Sequence, residues 1–200
     1  MSEIRRICVY CGSGPGQDPD FGRSARSFGQ ILARNRIGLV YGGGSVGLMG
    51  ELATSVLDHG GEVLGIIPEF LANREHMIRR GEVIRTRDMH ERKQLMFDHA
   101  DAFVALPGGI GTLEEVVEQM TWVQLGRHRK PVLLANIKGF WEPLKALLAH
   151  MEELAFIRPG LLVEYLVANR IEDVLPMLQH AVAQVAEAEK EMVPSVAGRL

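Results

Sequence analysis

The sequence predicts an α/β protein built on a doubly wound parallel sheet with helices on both faces. Three observations carry this. Short runs of Ile, Leu, Val and Ala alternate with longer stretches of helical periodicity along the chain. The short runs are apolar throughout, as strands buried on both faces are. Three of them end in glycine-rich turns, at Cys11–Gly14, Gly42–Gly47 and Pro107–Thr112, and sheets of this kind bind ligands beyond the carboxyl ends of their strands. Convergence of the three turns on one site is therefore expected.

The elements follow in order. Ile7–Cys11 reads as a strand. Pro19–Arg34 reads as a helix, with Phe21, Ala25, Phe28, Ile31 and Leu32 at helical spacing. Ile37–Tyr41 is a second strand. The helix Val46–His59 is closed by Gly60-Gly61, a C-terminal stop signal. Glu62–Ile67 is a strand stopped by Pro68. Residues 69–81 read as irregular and polar, with Arg74, Glu75, His76, Arg79 and Arg80. Strand Val83–Arg85 and helix Met89–His99 come next, then strand Ala102–Leu106 and helix Thr112–Leu125. Val132–Ala135 is a strand, Trp141–Leu154 a helix, and Leu162–Val167 contains the last strand. An amphipathic helix spans Ile171–Glu191. No repeat or linker divides the chain, so one nucleotide-binding domain is expected over 1–191, with a flexible tail at 192–200.

Composition removes several function classes. The 200 residues are 46% hydrophobic and 24% charged, a globular profile. With a formal charge of −3, no basic surface recommends nucleic acid as a partner. Met1–Tyr10 is too short and too charged for a signal peptide, and no apolar run reaches the ~18 residues that span a membrane. A cytoplasmic protein without a membrane partner is expected. Cys8 and Cys11 lie three apart on a strand, hence on opposite faces, and read as two reduced thiols rather than a redox or zinc pair. The seven histidines show no H-x-H or H-E-x-x-H spacing, so no metal site is expected. G-x-S-x-G and P-loop patterns do not occur.

Gly42-Gly43-Gly44-Ser45-Val46-Gly47 satisfies G-x-G-x-x-G between a strand and a helix. Glycines let a phosphate approach the backbone, and a helix N-terminus supplies amide donors. The dinucleotide form of this motif follows the first strand of a fold, and this one follows the second. Glu69, where a ribose-binding acid would fall, sits behind Pro68. The phosphate of a mononucleotide is the preferred ligand. A nicotinamide or flavin cofactor, and glycines used only for turning and packing, are the alternatives.

Pro107–Glu115 is the sharper feature. Thr112 can cap a helix, and Glu115 three residues on has capping-box spacing, so a cap is one reading of Glu115. The expected apolar stripe of this helix is Leu113, Val116, Val117, Met120 and Leu125, with Glu115 off it and near the ligand end. There the helix dipole favours the ionised carboxylate, which suits a base or a stabiliser of positive charge. Glu114 and Glu118 read as solvated helix surface or as complements of the helix dipole. Arg92 and Lys93 open the helix after Asp88, where the dipole disfavours cations. That placement points to an anionic partner, surface solvation being the alternative.

The runs Cys11-Gly12-Ser13, Tyr41–Gly50, Met89-His90-Glu91-Arg92-Lys93 and Pro-Gly-Gly-x-Gly-Thr-x-x-Glu at 107–115 resemble the LONELY GUY family. Its members are cytokinin riboside 5′-monophosphate phosphoribohydrolases, often mislabelled lysine decarboxylases. The resemblance spans roughly residues 4–180. It implies a Rossmann-like homodimer with its site near the dimer interface, no cofactor, and Arg92 and Glu115 as the catalytic pair. The family's substrate contacts map onto Glu75, Arg92, Lys93, Gly109, Ile110, Gly111, Thr112, Leu113, Glu114, Glu115 and Thr121, and Ser13, Gly43, Gly44 and Ser45 join them at phosphate or base. The implied reaction is hydrolysis of the N-glycosidic bond of a purine nucleoside 5′-monophosphate, either AMP or an N6-modified adenine form. Glu115 would stabilise a cationic sugar and Arg92 would bind phosphate or ribose. Two departures stand out: Gly14 replaces a serine common in relatives, and Arg74–Gly81 is unusually basic. Molybdenum-cofactor carriers resemble the same fold, which makes a non-catalytic nucleotide carrier the alternative. Nothing marks a lysine that would carry pyridoxal phosphate. The apolar Trp122, Val123 and Leu125 extend the 112–125 helix surface towards the expected dimer interface.

Overall fold

The computed structural model describes residues 3–72, 78, 80–158 and 163–192, with side chains to 188. The elements are β1 (Arg6–Tyr10), α1 (Pro19–Arg34), β2 (Gly38–Tyr41), α2 (Gly47–Asp58), β3 (Val63–Pro68), α3 (Glu69–Ala72), β4 (Glu82–Thr86), α4 (Met89–Asp98), β5 (Ala102–Ala105), α5 (Ile110–Gln124), β6 (Val132–Ala135), α6 (Glu142–Glu153), β7 (Leu166–Ala168) and α7 (Ile171–Met192). A 3₁₀ turn, Ile137–Gly139, precedes α6. The strands form one seven-stranded sheet in the order β4-β3-β2-β1-β5-β6-β7, and every pairing is parallel. The order reverses between β1 and β5, and the crevice there is where such a sheet binds ligands.

Two apolar cores cover the two sheet faces. One joins Ile7, Val9, Leu39 and Tyr41 to α1, α2 and α7 through Phe28, Leu52 and Leu178. The other joins Cys8, Tyr10, Val40 and Phe103 to α4 and α5 through Met96, Val116 and Met120. Partly buried Leu144 and Leu148 of α6 pack against the second core, yet α6 has no buried residue of its own. The cysteines obey the two-residue period of a strand. Cys8 lies in one core and Cys11 in the other, both thiols are free, and burial pushes both well above the ordinary thiol range.

Local chemistry explains most boundaries. Asp18 caps α1 by accepting from the Asp20 N–H (2.8 Å), and Pro19 fills the first helical position. Gly60 takes φ +75°, and the Gly61 N–H reaches the Val56 carbonyl (2.9 Å) in a Schellman closure of α2. Several element ends shift by a residue, and three departures from the sequence reading are larger. Residues 69–72 form a single helical turn, too short to show periodicity. The last strand is Leu166–Ala168, beginning beyond residues 163–165, which are not strand; Leu162 lies outside the described residues. α5 starts two residues earlier than Thr112, because Gly109 occupies the N-cap position. The expected tail from residue 193 also lies outside the described residues.

His128, in the turn after α5, yields a stability test. It is buried between the Phe97 and Phe103 rings, at 5.1 and 5.7 Å, and its Nδ1 accepts from the Lys130 N–H (3.1 Å). Burial, helped by the Lys130 charge, pushes its pKa from 6.5 down to about 4. The native state thus holds it neutral while the unfolded chain protonates it, so its contribution is full above 6.5 and is lost as pH falls towards 4. Between pH 6.5 and about 5.5 this group should remove roughly 1 kcal/mol of stability, and His128→Asn should lack that part of the slope. Urea unfolding of both proteins at the two pH values checks this; equal slopes would contradict it.

Candidate functional site

The three glycine turns do converge at the carboxyl ends of β1, β2 and β5. The first turn lies between the other two. Its Gly12 N–H donates to the Pro107 carbonyl (3.1 Å), while its Gly12 and Gly14 carbonyls accept from the N–H groups of Met49 (3.3 Å) and Leu48 (3.4 Å). Packing is close enough that a Cβ on Gly47 would collide with the Ser13 carbonyl, and one on Gly108 with the Thr112 side chain.

The two helices that leave these turns end up with opposite N-termini. In α2, the amides of Leu48 and Met49 are engaged by the first turn. Gly43 (φ +82°) and Gly47 (φ +61°) are required by backbone conformation, and a Cβ on Gly50 would strike the Ser45 carbonyl. In α5, the amides of Ile110, Gly111 and Thr112 have no acceptor among the described residues, as a first helical turn leaves them. A Cβ on Gly109 or Gly111 would meet nothing within 4 Å, and neither residue has positive φ. Glycine in a helix costs about 1 kcal/mol relative to alanine, so Gly111 answers neither to packing nor to backbone shape. It keeps open the approach to three free donors at the positive end of a helix.

Arg92 meets Glu115, the sixth residue of α5. Asp88 caps α4 by accepting from the Glu91 N–H (2.9 Å), and Glu91 returns to the Arg87 N–H (2.8 Å). This fixes Arg92 as the fourth residue of α4, facing the sheet. Its Nη1 donates to Glu115 Oε1 (2.5 Å) and its Nε to the Ile66 carbonyl at the end of β3 (3.1 Å). Both side chains are about one-tenth exposed. Burial pushes the Glu115 pKa upward, against which the Arg92 charge and hydrogen bond act in the opposite sense; the net shift from 4.5 is up. The anionic partners that the placement of Arg92 and Lys93 called for are α5 carboxylates. Lys93 Nζ donates to Glu114 (2.7 Å) and Glu118 (3.0 Å), so Glu118 is an ion-pair partner, not solvated surface.

Two expectations for α5 are corrected. Glu115 does not lie off the buried stripe. That stripe is Thr112, Glu115, Val116, Gln119 and Met120, while Val117 and Leu125 are exposed. Nor can Glu115 be a capping-box residue, since it is the sixth residue of a helix whose N-cap is Gly109, and Thr112 caps nothing. The other candidates divide by position. Gly43 and Gly44 are buried and Ser45 half-buried at the head of α2, and Ser13 is exposed beside them. Gly109–Leu113 line the open end of α5. Thr121 is exposed on another face, its hydroxyl donating to the Val117 carbonyl (2.8 Å). Glu75, with Arg74, His76 and Arg79, lies outside the described residues, and Arg80 pairs with Asp58 (2.6 Å). The sequence reading missed the Ile66 carbonyl, which no side-chain pattern reveals. It also missed the link from Lys93 to Glu114 and Glu118, whose signal was their spacing of four on one helix.

Comparison with known proteins places the chain in a family. Residues 49–178 match a family model described as "possible lysine decarboxylase". The chain is 46% identical over 191 residues to the cytokinin riboside 5′-monophosphate phosphoribohydrolase LOG7 of Arabidopsis thaliana, covering 95% of this chain and 85% of that one. It is 48% identical over 159 residues to LOG3 of the same plant, covering 79% and 74%. The chain belongs to the LOG family. Among solved structures, the LOG fold seen here is similar to the molybdenum cofactor binding protein of Rippkaea orientalis, at TM-score 0.68 and 21% identity over 91% of this chain and 99% of that one. It is also similar to the Moco carrier protein of Chlamydomonas reinhardtii, at TM-score 0.66 and 20% identity over 91% and 99%. At those identities the likeness is one of fold.

The Glu115 geometry makes a prediction about pH and charge. If the ionised carboxylate works in the reaction, kcat/KM should fall as pH drops through a value above 4.5, because the Glu115 pKa is raised. Glu115→Gln should lower kcat by about 10³, equivalent to about 4 kcal/mol of transition-state stabilisation, with nucleotide Kd unchanged or tighter. An acid limb at or below 4.5, or a Gln variant within about threefold of wild-type kcat, would sink the assignment.

Proposed function

We propose that this LOG protein hydrolyses the N-glycosidic bond of a purine nucleoside 5′-monophosphate, either AMP or an N6-modified adenine form. The products are free base and ribose 5-phosphate. The observation that carries the reading is the buried Arg92–Glu115 pair (2.5 Å), whose carboxylate stands on α5, the helix with the open N-terminus. In this reading the 5′-phosphate takes the amides of Ile110, Gly111 and Thr112, with the bare Gly109 and Gly111 giving it room. The ribose then lies over Glu115. As the C1′–N bond breaks, positive charge grows on the sugar and Glu115 stabilises it. Water adds to C1′, and its proton leaves with the base. Arg92 is better suited to hold Glu115 than to bind phosphate, since its Nε and Nη1 are already engaged. Lys93 acts through Glu114 and Glu118. Gly43, Gly44 and Ser45 shape the wall of the crevice.

Two other readings fare worse. A pure carrier, as the fold likeness invites, has no use for a buried carboxylate held by an arginine. A decarboxylase needs a lysine activated by a lowered pKa to form a Schiff base. Burial does act to lower the Lys93 pKa, but the carboxylates of Glu114 and Glu118 outweigh it, and the net shift is upward.

A homodimer completes the proposal, although the sequence reading placed its interface imperfectly. Trp122 is occupied within the chain, edge-on to Phe97 (5.3 Å) and under Arg127 (4.1 Å), and Val123 packs on the core. Of the three residues expected there, only Leu125 is open, at 72% exposure. Ile110, Val117 and Leu125 are exposed along one α5 stripe that also bears Glu114 and Thr121, and α6 adds exposed Leu147 and Met151. A second copy of this chain covering these helices would bury that surface next to the site.

Two measurements follow. With AMP and adenosine offered in parallel, kcat/KM should favour AMP by at least about 10³, since the phosphate anchors the sugar; comparable values for the two would remove the phosphate site from the mechanism. In sedimentation at micromolar concentration the protein should run as a dimer, and Val117→Glu with Leu125→Glu should yield monomers. A fully active wild-type monomer would refute the interface.

A further inference from the structure

Gly42 follows β2, two residues after Val40, so the strand period aims it at the sheet face that carries Val40, Met96 and α4. Its φ lies outside the left-handed region, so no turn demands glycine there. What excludes a side chain is the site itself. A Cβ on Gly42 would stand 2.6 Å from Arg92 Nη2 and 3.2 Å from Met49 Sδ, inside the ~3.5 Å at which non-bonded heavy atoms rest.

We infer that Gly42 is a positioning residue for the reaction: the side chain it lacks is the space in which the Arg92 guanidinium turns towards Glu115. The inference rests on the function proposed above. Arg92 is held at two atoms, by the Ile66 carbonyl at Nε (3.1 Å) and by Glu115 at Nη1 (2.5 Å), and a Cβ at Gly42 would press on its third nitrogen, Nη2. The guanidinium is planar and rigid. With Nε tethered, a methyl pressing on Nη2 swings the whole plane and takes Nη1 off the carboxylate. Glu115 then loses both its orientation and its counter-charge. This gives the first glycine of the G-x-G-x-x-G run a different task from those that follow: Gly43 supplies a positive φ, and Gly47 both a positive φ and a close approach to Ser13.

The test is a double-mutant cycle of wild type, Gly42→Ala, Arg92→Met and the double variant. Gly42→Ala should lower kcat by about 10²-fold, as a displacement of this size does, with KM within about threefold. The Glu115 carboxyl titration, followed by ¹³C NMR on the free enzyme, should move up by about one pH unit. In the Arg92→Met background the same alanine should change neither. The inference is overturned if Gly42→Ala leaves kcat and the titration at wild-type values, or if its effect is equal in both backgrounds. Should Gly42→Ala fail to fold, the double variant should regain the fold, and its failure to do so also refutes the inference. A wild type that releases no base from AMP or its N6-substituted forms defeats the proposed function, while the titration still decides the role of Gly42.

Discussion

The site depends on one constraint: a carboxylate taken out of water on the face of a packed helix. Glu115 is 8% exposed, among Val116, Thr112 and Gln119. An ionised carboxylate there is expensive, and a buried ion pair seldom repays its desolvation as stability. The partner must therefore be held where it serves. Three different strands and helices contribute to that. The β3 carbonyl of Ile66 takes Nε of Arg92, the Asp88 cap sets the phase of α4, and the end of β2 leaves room for the guanidinium. Fixing one contact of 2.5 Å thus engages β2, β3, α4 and α5 together.

Two glycine-rich turns that look alike in sequence serve opposite ends. At the head of α2, amides and glycines are consumed by contact with the first turn. At the head of α5 they are left open. The difference arises because the first turn lies between the other two and can satisfy only one of them with its carbonyls. It gives those of Gly12 and Gly14 to α2, and towards β5 it offers only the Gly12 N–H, which meets the Pro107 carbonyl and not an α5 amide. One helix N-terminus is thereby closed by the fold, and the other keeps its first amides open, as an anion site would require.

Much of this was legible in the sequence, and the reasons for success and failure are physical. The helix Pro19–Arg34 and the strand Val132–Ala135 were read to the residue, because an Asp-Pro cap and a bounded apolar run are local signals. The convergence of the turns followed from the rule that α/β sheets bind at their carboxyl ends. The α5 stripe was misread because hydrophobicity was its only guide. Glu115 and Gln119 are buried although polar, and Val117 and Leu125 are exposed although apolar. The start of α5 was misplaced because Thr112 is a good cap in isolation, whereas the closing of the β5 turn against Gly12 gives that position to Gly109. Contacts of the backbone, such as the Ile66 carbonyl, leave no trace in residue type.

The same misreading reversed an electrostatic expectation, and the reversal bears on mechanism. A first-turn carboxylate would feel the helix dipole and ionise more readily. Glu115 is six residues in and buried, so desolvation dominates and its pKa rises. Arg92 opposes that rise without cancelling it. The carboxylate that results is poorly solvated, and its one strong partner is fixed. In the proposed reaction, a cation forming on a bound sugar would meet a charge that is largely removed from solvent and need not reorganise, which is the condition under which electrostatic stabilisation is largest. Full solvation would weaken that attraction, and full burial without Arg92 would leave the group protonated and useless for it. The ion pair holds Glu115 between those limits, so in the proposed reaction the arginine need not touch the substrate to matter.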